Sequence, residues 1–361
     1  RRDRTRSESV SILGRAVTRV EDERFLLGRG RYVYNTSSPK SATHWIAFVR
    51  SPVAHGRLCG VDVSAALEID GVVEVITGAD VDLPAMPPVF GSVTHPLMVR
   101  PLVAVDTVRF VGEIIAIVVA TNETAAVDAV AAVIEDIEPI EAVIDPLEAL
   151  DTSIHLFDGS GTNVTYQGSL ASPNIDDNTD LFGECDVVVE QVIVNQRLAP
   201  CPLEPRAAVC VPDGERLHCY LTTQTPQLAR DSIAAQLGIA VDLIHVIAGP
   251  DVGGGFGPKD GWYPEEILTV WCARRHGATA RWHETRSESM LGLYHGRAQV
   301  QTLRLGGGRD GRLRAYEMDI VQDSGAYPSL GAWLPELTMM MAPGTYDIAN
   351  VRARFRSVVT N

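Results

Sequence analysis

The chain has 361 residues, 45% of them hydrophobic and 21% charged, and a net charge of −15. That length suffices for two or three domains with ordinary cores, while the acidic balance argues against a nucleic-acid-binding surface. No apolar run approaches the roughly 18 residues of a membrane-crossing helix, and six scattered cysteines without a C-x-x-C pair fit reduced, mostly buried thiols of a cytoplasmic protein.

The chain starts with the basic stretch R-R-D-R-T-R, which polar residues follow instead of an apolar signal region, so it reads as a solvated tail. Residues 1–36 are predicted to be an extended lead-in with a helical turn at 21–26. A first domain, 37–145, carries predicted strands at 43–50, 57–63, 71–77, 103–105, 108–111, 113–120 and 138–144. The run at 113–120 is almost wholly apolar and reads as a central strand buried on both faces. A short helix at 64–67 takes Ser64 as N-cap, and a helix at 123–133 takes Asn122. These elements predict a self-contained α+β unit over 43–143. Residues 146–180, with Pro146, a G-S-G-T-N run and a long polar stretch, read as a linker.

The second domain, 181–361, opens on a long strand at 185–198. Further strands are predicted at 207–211, 217–222, 244–247, 279–283, 296–305 and 314–321, with a hairpin turn at Asp310-Gly311. Helices are predicted at 227–237, ending on Gly238, and at 265–276. The fold class is α+β.

The strongest local signal is 244–260, I-H-V-I-A-G-P-D-V-G-G-G-F-G-P-K-D. A short strand runs into a loop whose glycines let the backbone approach another group closely. A phosphate-binding P-loop would need G-K-S/T, but Lys259 follows Pro258 and precedes Asp260. A dinucleotide fingerprint finds no register in G-G-G-F-G. Two readings stay open. In one, backbone N–H groups near a helix N-terminus face an anionic or oxo-bearing cofactor. In the other, the loop is a tight strand-to-helix turn with no ligand. The scattered His and Cys offer no metal-ligand rhythm. Arg197, Glu204 and Arg206 read as one structural charge cluster, and Cys201 and Cys210 as core residues.

The wider pattern is more specific. R-V-E-D-E-R-F-L-L-G-R-G-R-Y-V (19–33), F-V-R-S-P-V-A-H-G-R-L (48–58), V-G-E-I-I-A-I-V-V-A (111–120), N-Q-R-L-A-P-C-P-L-E-P-R (195–206), T-T-Q-T-P-Q (222–227) and G-P-D-V-G-G-G-F-G-P-K (249–259) follow one another along the chain. In these stretches the chain resembles the amino-terminal part of the molybdenum-binding large subunit of the xanthine oxidase, carbon monoxide dehydrogenase and aldehyde oxidase family. The resemblance implies an α/β hammerhead-type domain followed by the first part of a molybdopterin-binding domain.

It further implies that Gln224 donates its amide towards an oxygen on molybdenum, and that Gly254, Gly255, Phe256 and Gly257 line the molybdenum–pterin site. Asp260 stands where some purine-oxidising members have a substrate-binding acid, although it also suits a helix N-terminus. Phe256 is a second candidate substrate contact, with packing as the simpler reading. The implied reaction is hydroxylation of an aldehyde, N-heterocycle or carbon monoxide with water as oxygen source. In the family a glutamate base activates a molybdenum-bound hydroxyl and hydride passes to a sulfido ligand. The implied cofactor is molybdenum–molybdopterin cytosine dinucleotide, bound through the pterin's dithiolene. Electrons would leave through an iron–sulfur (2Fe-2S) small subunit and an FAD medium subunit, in a dimer of heterotrimers in the cytoplasm or peripheral to the inner membrane. The family's base and substrate loop have no counterpart within 1–361. The enzymatic reading therefore expects a further segment or a second chain to complete the site. The competing reading is a non-catalytic scaffold or truncated relic that docks electron-transfer partners.

Overall fold

Apolar strands bury their side chains only if every backbone N–H and C=O finds a partner, and this chain meets that demand with two large sheets and one small one. The computed structural model describes residues 11, 13–36, 43–88, 91, 94–260 and 263–361. The basic stretch predicted as a solvated tail lies outside them. In chain order the first elements are α1 (Asp22–Leu26), β1 (Thr43–Arg50), β2 (Gly56–Asp62), α2 (Ser64–Leu67), β3 (Val72–Thr77), β4 (Thr107–Val108), β5 (Ile114–Ala120), α3 (Glu123–Ala132) and β6 (Ile134–Pro139). Then come β7 (Val164–Ala171), β8 (Val187–Leu198), β9 (Ala207–Asp213), β10 (Arg216–Leu221), α4 (Pro226–Leu237), β11 (Ile244–Ala248), α5 (Pro264–His276) and β12 (Thr279–His283). The last are α6 (Arg286–Gly292), β13 (Gly296–Gly307), β14 (Leu313–Asp323), α7 (Leu330–Met340) and β15 (Asn350–Val358).

The seven-stranded sheet runs β11-β10-β9-β12-β1-β5-β3, the five-stranded sheet β7-β15-β14-β13-β8, and the small sheet β4-β2-β6. This mixed α/β arrangement agrees with the expected class. All seven residues of β5 are buried, as a central strand covered on both faces requires. Asn122 caps α3 by accepting from the Ala125 N–H. Pro226 opens α4 at its first position, and Gly238 ends it with φ 62°.

Several expectations need correction. The first unit is not self-contained: β1 pairs in parallel with β12, from Thr43 opposite Thr279 to Trp45 opposite Arg281. One core therefore holds Ile46, Phe48 and Ile117 together with Cys210, Trp271 and Trp282. The linker reading of 146–180 missed β7, whose residues pair with β15 along its length. The polar, glycine-containing composition of that strand suits its exposed position at a sheet edge. The predicted strand at 138–144 is displaced to Ile134–Pro139, and 103–105 is irregular, with Val103 and Ala104 buried and Val105 exposed. The α2 N-cap is Val63. Ser64 instead gives both its N–H and its hydroxyl to the Asp62 carboxylate. Cys210 is buried as expected, but Cys201 is exposed and has φ 44°.

Because Ile117 is fully enclosed in the shared core, Ile117→Ala is expected to lower unfolding stability by about 2–5 kcal/mol. Urea denaturation followed by tryptophan fluorescence measures this.

Candidate functional site

The glycine loop follows β11, and a salt-bridged staple closes its base. Glu204 Oε2 accepts from the Gly253 N–H at 2.8 Å and from Lys259 Nζ at 3.3 Å, so one carboxylate holds both ends of the loop. The Glu204 N–H donates back to the Gly253 carbonyl at 3.1 Å. Burial pushes the Lys259 ammonium below its ordinary value and Glu204 opposes that shift. At the other side of the loop, the Lys259 carbonyl accepts from the Gln224 N–H at 2.8 Å. The end of β10 and the end of the loop are thereby tied together.

Within this frame Gln224 lies directly under the loop. Its Oε1 accepts from the Gly257 N–H at 3.0 Å. The space above it is so tight that a Cβ on Gly255 would lie 2.5 Å from the same oxygen, so a side chain at 255 would have to push the Gln224 amide aside. With the carbonyl occupied, the amide nitrogen of Gln224 makes no hydrogen bond to a described residue, and neither do the N–H groups of Gly254, Gly255 and Phe256. The chain doubles back here through positive φ angles of 106° at Gly254, 64° at Phe256 and 97° at Gly257. Phe256 is a bulky residue in that conformation and is 75% exposed among the described residues.

Structure brings Gln224, Gly254, Gly255, Phe256 and Gly257 into one patch. Asp260 closes the loop through its own N–H to the Gly257 carbonyl at 2.9 Å. The donors of the patch are neutral amides, and among the described residues no group of three or more His, Cys, Asp and Glu side chains could hold a metal ion. Such a surface suits an anionic or oxo-bearing group. The helix N-terminus, which the sequence offered as an anion partner, already carries its own acids in the first turn of α5, Glu265 and Glu266. The available donors are those of the loop itself.

Sequence reasoning also misjudged the neighbouring charges. Arg197, Glu204 and Arg206 are not one cluster: Arg197 pairs with Asp323, Glu204 with Lys259, and Arg206 with Glu284 and Glu265. Arg206 is fully buried. It reaches Glu284 at 2.6 Å and Glu265 at 3.3 Å, and its guanidinium lies 4.0 Å from the Tyr263 ring centroid. Arg50 extends the network, 3.0 Å from Glu265 and 2.9 Å from Glu288. Burial alone would raise Glu265, but Arg206, Arg50 and Arg100 hold it down to about 2. The next residue differs. Burial raises Glu266, the Glu265 charge adds to that, and Arg206 only partly opposes, leaving it at about 7.

A second contact that sequence reading missed fixes the entrance to the loop. Asp251, 6% exposed, accepts from both terminal nitrogens of Arg24 and from the Arg31 N–H at 2.6 Å. Its carboxyl is drawn down to about 2, first by the Arg24 hydrogen bonds. The lead-in is thus strapped to the residue just before the glycines. The E-D-E-R and G-R-G-R runs signalled charge, but nothing local pointed to a partner so far along the chain.

Residues 158–361 match the molybdopterin cofactor-binding domain, and residues 27–138 match the a/b hammerhead domain of aldehyde oxidase and xanthine dehydrogenase. The chain is 32% identical to the nicotine 6-hydroxylase large subunit of Paenarthrobacter nicotinovorans, over 97% of this chain and 43% of that protein. It is 31% identical to the carbon monoxide dehydrogenase large chain of Afipia carboxidovorans, over 99% of this chain and 45% of that one. Its structure superposes on quinoline 2-oxidoreductase from Pseudomonas putida 86 with a TM-score of 0.87 and 32% identity, covering 96% of this chain and 44% of that one. The chain spans less than half the length of these relatives.

The Glu266 environment has a measurable consequence. A carboxyl whose folded value is raised stabilises the fold fully below its unfolded value, near pH ~4.3. That contribution is lost as pH rises through about 7. Glu266→Gln is therefore expected to melt like the wild type near pH ~4 and a few degrees higher near pH ~8. Thermal melts across that range read the difference.

Proposed function

Since the chain belongs to the xanthine oxidase, carbon monoxide dehydrogenase and aldehyde oxidase family of molybdopterin-binding large subunits, we propose that it forms one wall of the active site of a molybdenum hydroxylase. Its substrate is a small molecule, an aldehyde, an N-heterocycle or carbon monoxide, and water is the oxygen donor. The observation that carries this reading is the arrangement at Gln224. Its carbonyl is locked on Gly257 while its amide nitrogen and three successive loop N–H groups are left as donors. An oxo-bearing centre calls for neutral, preorganised donors of this kind.

When bound, the molybdenum–pterin group supplies the two-electron redox centre at which a substrate C–H, or carbon monoxide, is oxidised. In this reading Gln224 would hold that group through its amide N–H, and the backbone of Gly254, Gly255, Phe256 and Gly257 would line it. The Glu204–Lys259 staple keeps those donors in place, so little reorganisation is needed when charge develops. Asp260, at the loop's end, would offer an acceptor to an N–H or O–H of a polar substrate, and the exposed ring of Phe256 would shield it from water. The general base lies outside residues 1–361, in polypeptide corresponding to the remainder of the relatives' length. We further propose the cytosine dinucleotide form of the cofactor, an iron–sulfur small subunit and an FAD medium subunit as electron acceptors, a dimer of heterotrimers, and a cytoplasmic or peripheral inner-membrane location.

Metal and pterin analysis of the native assembly, with dye-linked oxidation of a panel of aldehydes, N-heterocycles and carbon monoxide, tests the proposal. Stoichiometric molybdenum and turnover of at least one class are expected. A metal-free assembly inert to the whole panel would leave the scaffold reading. Gln224→Ala should keep molybdenum but lower kcat by about 10²–10³-fold, the usual cost of one preorganised donor. Gly255→Ala, by displacing Gln224, should reproduce that loss.

A further inference from the structure

The seven-stranded sheet ends on β11, whose strand partner among the described residues is β10. Their parallel register sets His218 directly opposite His245. Alternation along β10 sends Leu217, Cys219 and Leu221 into the core and leaves His218 on the other face. There its imidazole meets that of His245, with the rings tilted by 70° and the two Nδ1 atoms 3.3 Å apart. Because β10 is paired on both sides, by β9 and β11, strand geometry rather than a loop sets this separation.

Two nitrogens so close share either a proton or a metal ion. When both rings are neutral, one Nδ1 donates to the other, and the Asp213 carboxylate decides which. It lies 3.7 Å from His218 Nε2 and favours the tautomer that keeps the proton there. His218 Nδ1 then holds a lone pair and accepts from His245 Nδ1–H. His245 is exposed, so its proton can move to its own Nε2 and face water. That frees the second lone pair without changing the charge of the pair. Nitrogens 3.3 Å apart, each about 2.0–2.1 Å from one ion, subtend about 104–111° at it, a range that brackets the tetrahedral angle.

The surrounding charge suits a cation. Arg216, Arg230 and Asp242 line the same recess as the two histidines. Arg230 is paired with Asp231 at 2.8 Å. The balance left is one positive charge, on Arg216, against the carboxylates of Asp213 and Asp242. Among the described residues no larger cluster of ligating side chains forms here, which leaves the remaining coordination positions to water.

We propose that His218 and His245 form a two-histidine site for a divalent cation of the zinc type, bound through both Nδ1 atoms across β10 and β11. Imidazole nitrogen suits zinc, whereas magnesium calls for oxygen ligands. The ion clamps the edge strand at its start, the end away from the glycine loop. The site concerns binding and stands whether or not that loop carries a redox cofactor.

The test is equilibrium dialysis of the native assembly against zinc, with bound metal counted by elemental analysis. His218→Ala and His245→Ala are each expected to hold one zinc per chain fewer than the wild type. The exposed thiols Cys59 and Cys201 are common to all three proteins and drop out of the difference. Dialysis against magnesium should show no difference among them. Since His245 is exposed, its variant gives the answer even if His218→Ala folds poorly. The proposal is overturned if the wild type binds no more zinc than His245→Ala, or if a folded His218→Ala keeps the full complement. It is also overturned if magnesium shows the same differences as zinc.

Discussion

The fully buried guanidinium of Arg206 is the constraint on which the remaining architecture depends. Taking a cation out of water costs several kcal/mol unless its donors are met. Here they are met by residues from distant parts of the chain, Glu265 at the start of α5 and Glu284 just after β12. The backbone joins in, since the Arg206 and Glu284 N–H groups each donate across the same junction at 2.9 Å. Arg50, at the end of β1, shares Glu265 and reaches on to Glu288 in α6. Removing any one partner would leave an uncompensated charge where water does not reach. The positions of β1, β9, β12, α5 and α6 are thus interdependent, and the loop that α5 follows inherits its placement from them.

On this charged base the chain builds a surface that is itself uncharged. Glu204 and Lys259 neutralise each other at the foot of the loop, and what faces outward is amide: Gln224 and consecutive backbone N–H groups. The order matters. Formal charges fix the geometry from below, and dipoles are left facing outward, so the field at the patch is directional without being dominated by one residue.

Local rules made much of this legible in the sequence. Asn122 before an apolar helical stretch, Pro226 and Gly238 bracketing α4, and the unbroken apolar run of β5 all reported their structure correctly, because each depends on neighbours in the chain. The glycine loop and Gln224 were legible as a family pattern, and the Gly257 N–H donating to Gln224 Oε1 joins the two in space. What could not be read was pairing at a distance. Arg206 finds its carboxylates 59 and 78 residues away, and β1 meets β12 across most of the chain. The polar strand β7 was taken for a linker because an edge strand need not carry an apolar pattern. Cys201 was assigned to the core by residue type alone, whereas it is exposed in an irregular segment before β9.

The strap formed by Arg24, Arg31 and Asp251 has a consequence for how the molecule comes into being. Its two sides are 227 and 220 residues apart, and β1 gains its parallel neighbour only through residues 279–281. Synthesis proceeds from the amino terminus, and closing so large a loop cannot precede the emergence of its far end. The earlier-made side of this contact is therefore fixed only after the later one has emerged. An ordered lead-in is in effect a record that the loop after β11 has already been built and set in place.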